Sequence, residues 1–78
     1  MTVKERFAAN LRYIMDSGGL SAYDLARYTA SREYAINEVL NDDRMPQYDF
    51  VELISSFAGV SVYSLFHCDL VKITEAGA

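Results

Sequence analysis

Apolar residues fall along this chain in short bursts of helical period, separated by stretches rich in glycine, serine, asparagine and aspartate. Val3, Phe7, Leu11, Ile14 and Met15 recur every three or four residues, which places them on one side of a helix. Thr2 stands where an N-cap belongs, and Glu5 three residues later completes a capping box. Ser17-Gly18-Gly19 stops this helix after Asp16, since glycine accepts the left-handed conformation that closes a helix.

The stretch from Leu20 to Pro46 predicts two short helices joined by a tight turn. Ser21 is an N-cap with Asp24 at the third helical position, and Leu20 and Leu25 are placed to form a hydrophobic staple. Ala22, Leu25 and Ala26 share one face. The second helix of the pair starts near Ser31 and turns Ala35, Ile36, Val39 and Leu40 inward. Small Ala26 lets the two helices cross closely. Pro46 opens a fourth helix, where its missing N–H costs nothing, and that helix spans 47–58. Tyr48, Val51, Ile54, Ser55 and Ala58 form one row along it, and Phe50, Leu53 and Phe57 form a second. A helix apolar on two sides needs cover on two sides, from its own domain or from a partner.

Gly59 ends that helix and Ser61 caps a short fifth one reaching Phe66, with Leu65 inward and Val62, Tyr63 and Phe66 at the edge. Leu70 to Thr74 is apolar and β-branched, which predicts a short strand pairing with a second copy, or an arm lying across the chain's own core. Glu75 to Ala78 reads as disordered. The expected architecture is therefore all-α: a compact five-helix domain over 1–69, with a C-terminal strand or arm over 70–78.

The register of the helix pair resembles that of the Cro and phage-repressor (Xre-type) family. Leu25-Ala26 look like the family's first-helix Leu-Ala pair, Ile36 and Val39 like its two buried second-helix positions, and Pro46 like the proline that follows. The likeness extends through Asn10-Leu11-Arg12, Gly19-Leu20-Ser21, Gly59-Val60-Ser61 and Leu65-Phe66, covering residues 5–66. No single motif among these is specific; the joint spacing carries the resemblance. The sequence departs from the pattern at Ala30 and Asp42, where the family has glycine, at Ser31, where it has an aliphatic residue, and at Ala22, where it has glutamine. A left-handed alanine costs about 1 kcal/mol or more, so a reshaped turn is expected at Ala30.

The resemblance implies a lambda-repressor-like helix-turn-helix over 21–41 whose second helix reads double-stranded DNA in a homodimer. Arg32, Glu33, Tyr34, Asn37, Glu38 and Asn41 then face the DNA, with Arg44 and Gln47 following in the next turn. Their chemistry suits the task, because Arg bridges guanine O6 and N7, Asn bridges adenine N6 and N7, and Glu accepts from cytosine N4. Phe66, Leu70, Val71 and Ile73 are the expected dimer surface, with Phe50, Leu53 and Phe57 as the alternative. Lys4, Arg6 and Arg12 lie on the wetter side of the first helix, where they are expected to solvate its surface; the alternative, which the resemblance implies, is an approach to the DNA backbone.

Charge complicates this picture. The formal net charge is −4, whereas a strong nonspecific nucleic-acid binder carries a basic surface. A second reading is therefore an acidic helix-turn-helix that binds another regulatory protein, as an antirepressor or DNA mimic does. The two diverge on whether Arg12, Arg27, Arg32 and Arg44 gather at the second helix or Glu33, Glu38, Asp42 and Asp43 form a continuous carboxylate ridge there.

Catalysis has little to work with. One histidine and one cysteine, His67 and Cys68, adjoin each other, and adjacent side chains diverge. There is no phosphate-cradling glycine loop and no Cys/His cluster with metal spacing, so no enzyme, cofactor or metal is expected. A single cysteine, no long apolar run and no signal-peptide core suit a soluble cytoplasmic protein without a membrane partner.

Overall fold

Local capping sets where the first helices begin. In the computed structural model, which describes residues 1–77 with side chains through Ile73, α1 spans Val3–Gly18 and α2 spans Ala22–Thr29. Both start with reciprocal capping boxes. The Thr2 hydroxyl accepts from the Glu5 N–H at 3.1 Å and the Glu5 carboxylate accepts from the Thr2 N–H at 2.8 Å. Ser21 and Asp24 repeat the arrangement, each bond at 3.1 Å. The helices α3 (Glu33–Leu40), α4 (Tyr48–Ala58), α5 (Val62–His67) and α6 (Leu70–Gly77) follow. The described residues contain helices and no strand.

The inward stripes meet around α1, which packs against α3, α5 and α6, while α2 packs on α3 and α4 on α5. Phe7, Leu11, Leu25, Ile36, Ile54 and Leu65 are fully buried at the centre. Each such side chain contributes about 1.5–3 kcal/mol relative to its exposed state. Phe50, expected in a row needing separate cover, is also in this core, with its ring edge-on to Phe7 at 6.3 Å between centroids. Val3 and Tyr48 are exposed rather than buried.

Residues 70–77 are not the expected strand; the segment lies on the chain's own core, as the alternative arm would, but as a helix. They form α6, a sixth helix on the same core, and Leu70 is 5% exposed within the hydrophobic cluster. The Asp69 carboxylate accepts from the Lys72 N–H at 3.2 Å, as an N-cap does. The Leu70 N–H donates to buried Asn10 Oδ1 at 3.2 Å. Asn10 Nδ2 donates to the carbonyls of Leu65 and Cys68, each at 2.8 Å, so this one amide joins the end of α5 to the start of α6. Helix capping and core burial override the β preference of Val71 and Ile73, which is a weak and context-dependent bias. The helix reaches Gly77, and Ala78 lies outside the described residues.

Candidate nucleic-acid interface

The turn between α2 and α3 closes by two backbone bonds, supported by the hydroxyls of Thr29 and Ser31. Ala30 is left-handed at φ 55°, ψ 34°, so the expected reshaping does not occur. Its N–H donates to the Arg27 carbonyl at 3.4 Å and the Ser31 N–H donates to the Ala26 carbonyl at 2.9 Å, the two bonds of a Schellman closure. Ser31 therefore finishes α2 instead of starting α3. Its hydroxyl accepts from the Thr29 hydroxyl at 2.8 Å, and the next helix begins at Glu33 with Arg32 as its N-cap, later than the sequence predicts. Buried Leu25 and Ala26 face buried Ile36 and Val39 across this corner.

With that side of α3 packed, its other side is open. Glu33, Tyr34 and Asn37 are exposed on the helix, Arg32 is exposed at its N-terminal edge, and Asn41 is exposed at its C-cap. Glu38 is half-buried. Arg44 bends back to it at 2.9 Å, and the same guanidinium lies 5.8 Å from the centroid of the Tyr34 ring. Arg32, Tyr34, Arg44 and Gln47 line a cleft of about 280 Å³ whose apolar walls include Ile36, Val39 and Phe50. Gln47 is the exposed N-cap of α4 and makes no side-chain capping bond.

Of Arg12, Arg27, Arg32 and Arg44, three bear on α3. Arg12 reaches from α1 to donate to the Leu40 carbonyl at 2.8 Å, tying α1 to the end of α3. Arg32 and Arg44 flank the cleft, whereas Arg27 lies over the Tyr23 ring on α2 at 5.8 Å. The carboxylates do not form an unbroken ridge, because the Glu38 charge is met by Arg44. Asp42 is left-handed at φ 68° and half-buried, with Oδ1 buried and unpartnered among the described residues, while Glu33 and Asp43 are exposed. Arg6 of the first helix turns to Asp69 at 3.4 Å. The Arg12 contact with Leu40 was not legible in the sequence, because its partners are 28 residues apart and a backbone carbonyl carries no residue signature.

The expected dimer residues divide. Leu70 is in the core and Phe66 is half-buried, its ring stacked on Phe7 at 4.9 Å. Leu70 is thus removed from any outer surface, whereas Val71 and Ile73 are exposed on α6. Among the described residues no helix is long and apolar enough to cross a membrane. No family model matches the chain, and no curated protein or solved structure matches it either.

Proposed function

We propose that α2, its turn and α3 are a helix-turn-helix of the Cro/phage-repressor type, and that the protein regulates transcription in the cytoplasm by binding specific DNA sequences as a homodimer. The observation that carries this reading is the division of α3: Ile36 and Val39 anchor it, while Glu33, Tyr34 and Asn37 project outward with Arg32 at the N-terminal edge. A helix seated at a corner in this way can enter a major groove by its N-terminal end. One such helix meets only a few base pairs. A second copy supplies the rest by placing its α3 in the next major groove, about 34 Å away. Val71 and Ile73 on α6, with the outer edge of Phe66, are the surface proposed for that pairing.

Phosphate contacts come from Arg32, Gln47 and Arg44, the last after release from Glu38. Few cations per subunit give a shallow salt dependence, a slope of about −3 to −5 for a dimer by counterion release. The test is a fluorescence-anisotropy titration on labelled DNA from upstream of the protein's own gene, beside scrambled DNA, at two salt concentrations. Tight binding to the first duplex and weak binding to the second is the expected result.

The acidic protein-interaction module remains the second reading, favoured by one observation: Glu33 on α3 and Asp43 in the turn after it are exposed in a chain of net charge −4. No binding to either duplex at low salt would exchange the first reading for the second.

A further inference from the structure

The cleft between the α2–α3 turn, α3 and the start of α4 holds about 280 Å³, at the small end of the roughly 300–1,000 Å³ of small-molecule pockets. Its floor is apolar and fixed by the core. Ile36, Val39 and Phe50 line it and belong to the hydrophobic cluster, where the Phe50 ring stands edge-on to Phe7. Ala35 lines it too, and a longer side chain there would intrude on the space.

The rim is cationic in a chain that is acidic overall. Arg32 and Arg44 line the cleft and no aspartate or glutamate does, although the formal net charge is −4. Arg44 is held in place: its Nη2 donates to Glu38 at 2.9 Å and its guanidinium lies 5.8 Å from the centroid of the Tyr34 ring. Nε and Nη1 of Arg44 have no partner among the described residues. Arg32 is exposed, and among the described residues its side chain is in no ion pair. Two guanidinium charges less the one carboxylate of Glu38 leave a single positive charge at the cleft. Arg32 and Gln47 are also the N-caps of α3 and α4, neither with a side-chain capping bond, so two positive helix ends add to that charge.

We propose that this cleft binds a small carboxylate with a flat apolar body, of the size of a two-ring aromatic acid. The carboxylate meets the open fork of Arg32, with which it can form two parallel hydrogen bonds, and Arg44 adds its charge from the other side. The body lies on Ile36, Val39 and Phe50 beside Tyr34. One negative charge matches the one positive charge left at the rim; a dianionic phosphate exceeds it, and a neutral aromatic leaves it unanswered. The cleft shares Arg32, Arg44 and Gln47 with the proposed DNA contacts, but this site stands on its walls and its charge, whatever α3 reads.

The test is an NMR titration of the intact protein with 2-naphthoate, following backbone amide signals, beside 2-naphthamide, acetate and 2-naphthyl phosphate. No DNA is present, so failure here leaves the DNA reading standing, and failure of that reading leaves this one. Saturable shifts centred on the α2–α3 turn, α3 and the start of α4 are expected, with a Kd of about 1 mM or tighter for a ligand this small. The amide, acetate and the phosphate should each bind about tenfold more weakly or worse. Arg32→Gln removes the fork at an exposed position, and Ala35→Leu fills the space; circular dichroism shows which variants fold. Each folded variant should lose about tenfold or more. Absence of saturable shifts, shifts centred elsewhere, or unchanged binding in the folded variants would overturn the proposal. Equal binding of the amide or of acetate would do so as well, and tighter binding of the phosphate would give the cleft to a different anion.

Discussion

Replacing Ala30 with glycine should stabilise this protein, although no side-chain contact is gained. Ala30 sits at φ 55° and ψ 34°, where its Cβ crowds the neighbouring carbonyl oxygen. That conformation costs an L-residue about 1–2 kcal/mol, and glycine escapes the cost. Glycine also gives the unfolded chain more freedom, which returns about 0.4–1 kcal/mol. The difference is a net gain of about 0.5–1 kcal/mol, provided the closing bonds from Ala30 N–H to Arg27 and from Ser31 N–H to Ala26 are kept. For a domain of this size such a gain raises Tm by about 2–8 °C. Thermal and urea melts followed by circular dichroism measure it, and the urea m-value should not change. Gly19→Ala is the mirror control: its φ is 67° and nothing lies within 4 Å of the new Cβ, so any loss is conformational and should be about 0.5–1 kcal/mol by the same difference. A less stable Ala30→Gly beside a neutral Gly19→Ala would refute the reasoning.

Other substitutions probe the proposed interface and the core. Asn37→Ala and Arg32→Ala should each weaken a specific DNA complex by about 1–3 kcal/mol without altering the melting curve; unchanged affinity in both would remove them as readers. Ile73→Asp, on the exposed side of α6, should dissociate a dimer formed there, whereas Leu70→Asp should unfold the chain instead. Light scattering separates the two outcomes. Asn10→Leu should cost about 2–4 kcal/mol, since it strands the carbonyls of Leu65 and Cys68 and the N–H of Leu70, and hydrogen exchange should quicken first in α6. Acid should loosen the starts of α1 and α2. Backbone N–H bonds from Thr2 and Ser21 hold the carboxyls of Glu5 and Asp24 below their ordinary values, 4.5 and 3.8. A carboxyl lowered in the folded state favours folding above its ordinary pKa, and that contribution is lost as pH falls through the folded value. Glu5→Gln with Asp24→Asn should flatten stability across this range, which melts at stepped pH would reveal.

The helices α1 to α5 were legible because their signals are local. A cap needs only a hydroxyl and an acceptor three residues apart, as in Thr2 with Glu5 or Ser21 with Asp24, and a core stripe needs only the helical period. The same locality exposed the outer face of α3, since Ile36 and Val39 declare the inner one. Arg44 was harder to place. Its charge is plain in the sequence, but its return to Glu38 depends on the left-handed Asp42 that turns the chain after α3.

By itself, then, the sequence determined five helices within residues 1–69, the start of most of them and most of the side chains they turn inward. Only the tertiary structure decided the fate of residues 70–77, the inward turn of Phe66 and Leu70, and the reach of Arg12 to Leu40. The physical reason is separation along the chain. Leu70 finds its acceptor in Asn10, 60 residues away, and a bond across that distance exists only after α1 and α5 have packed.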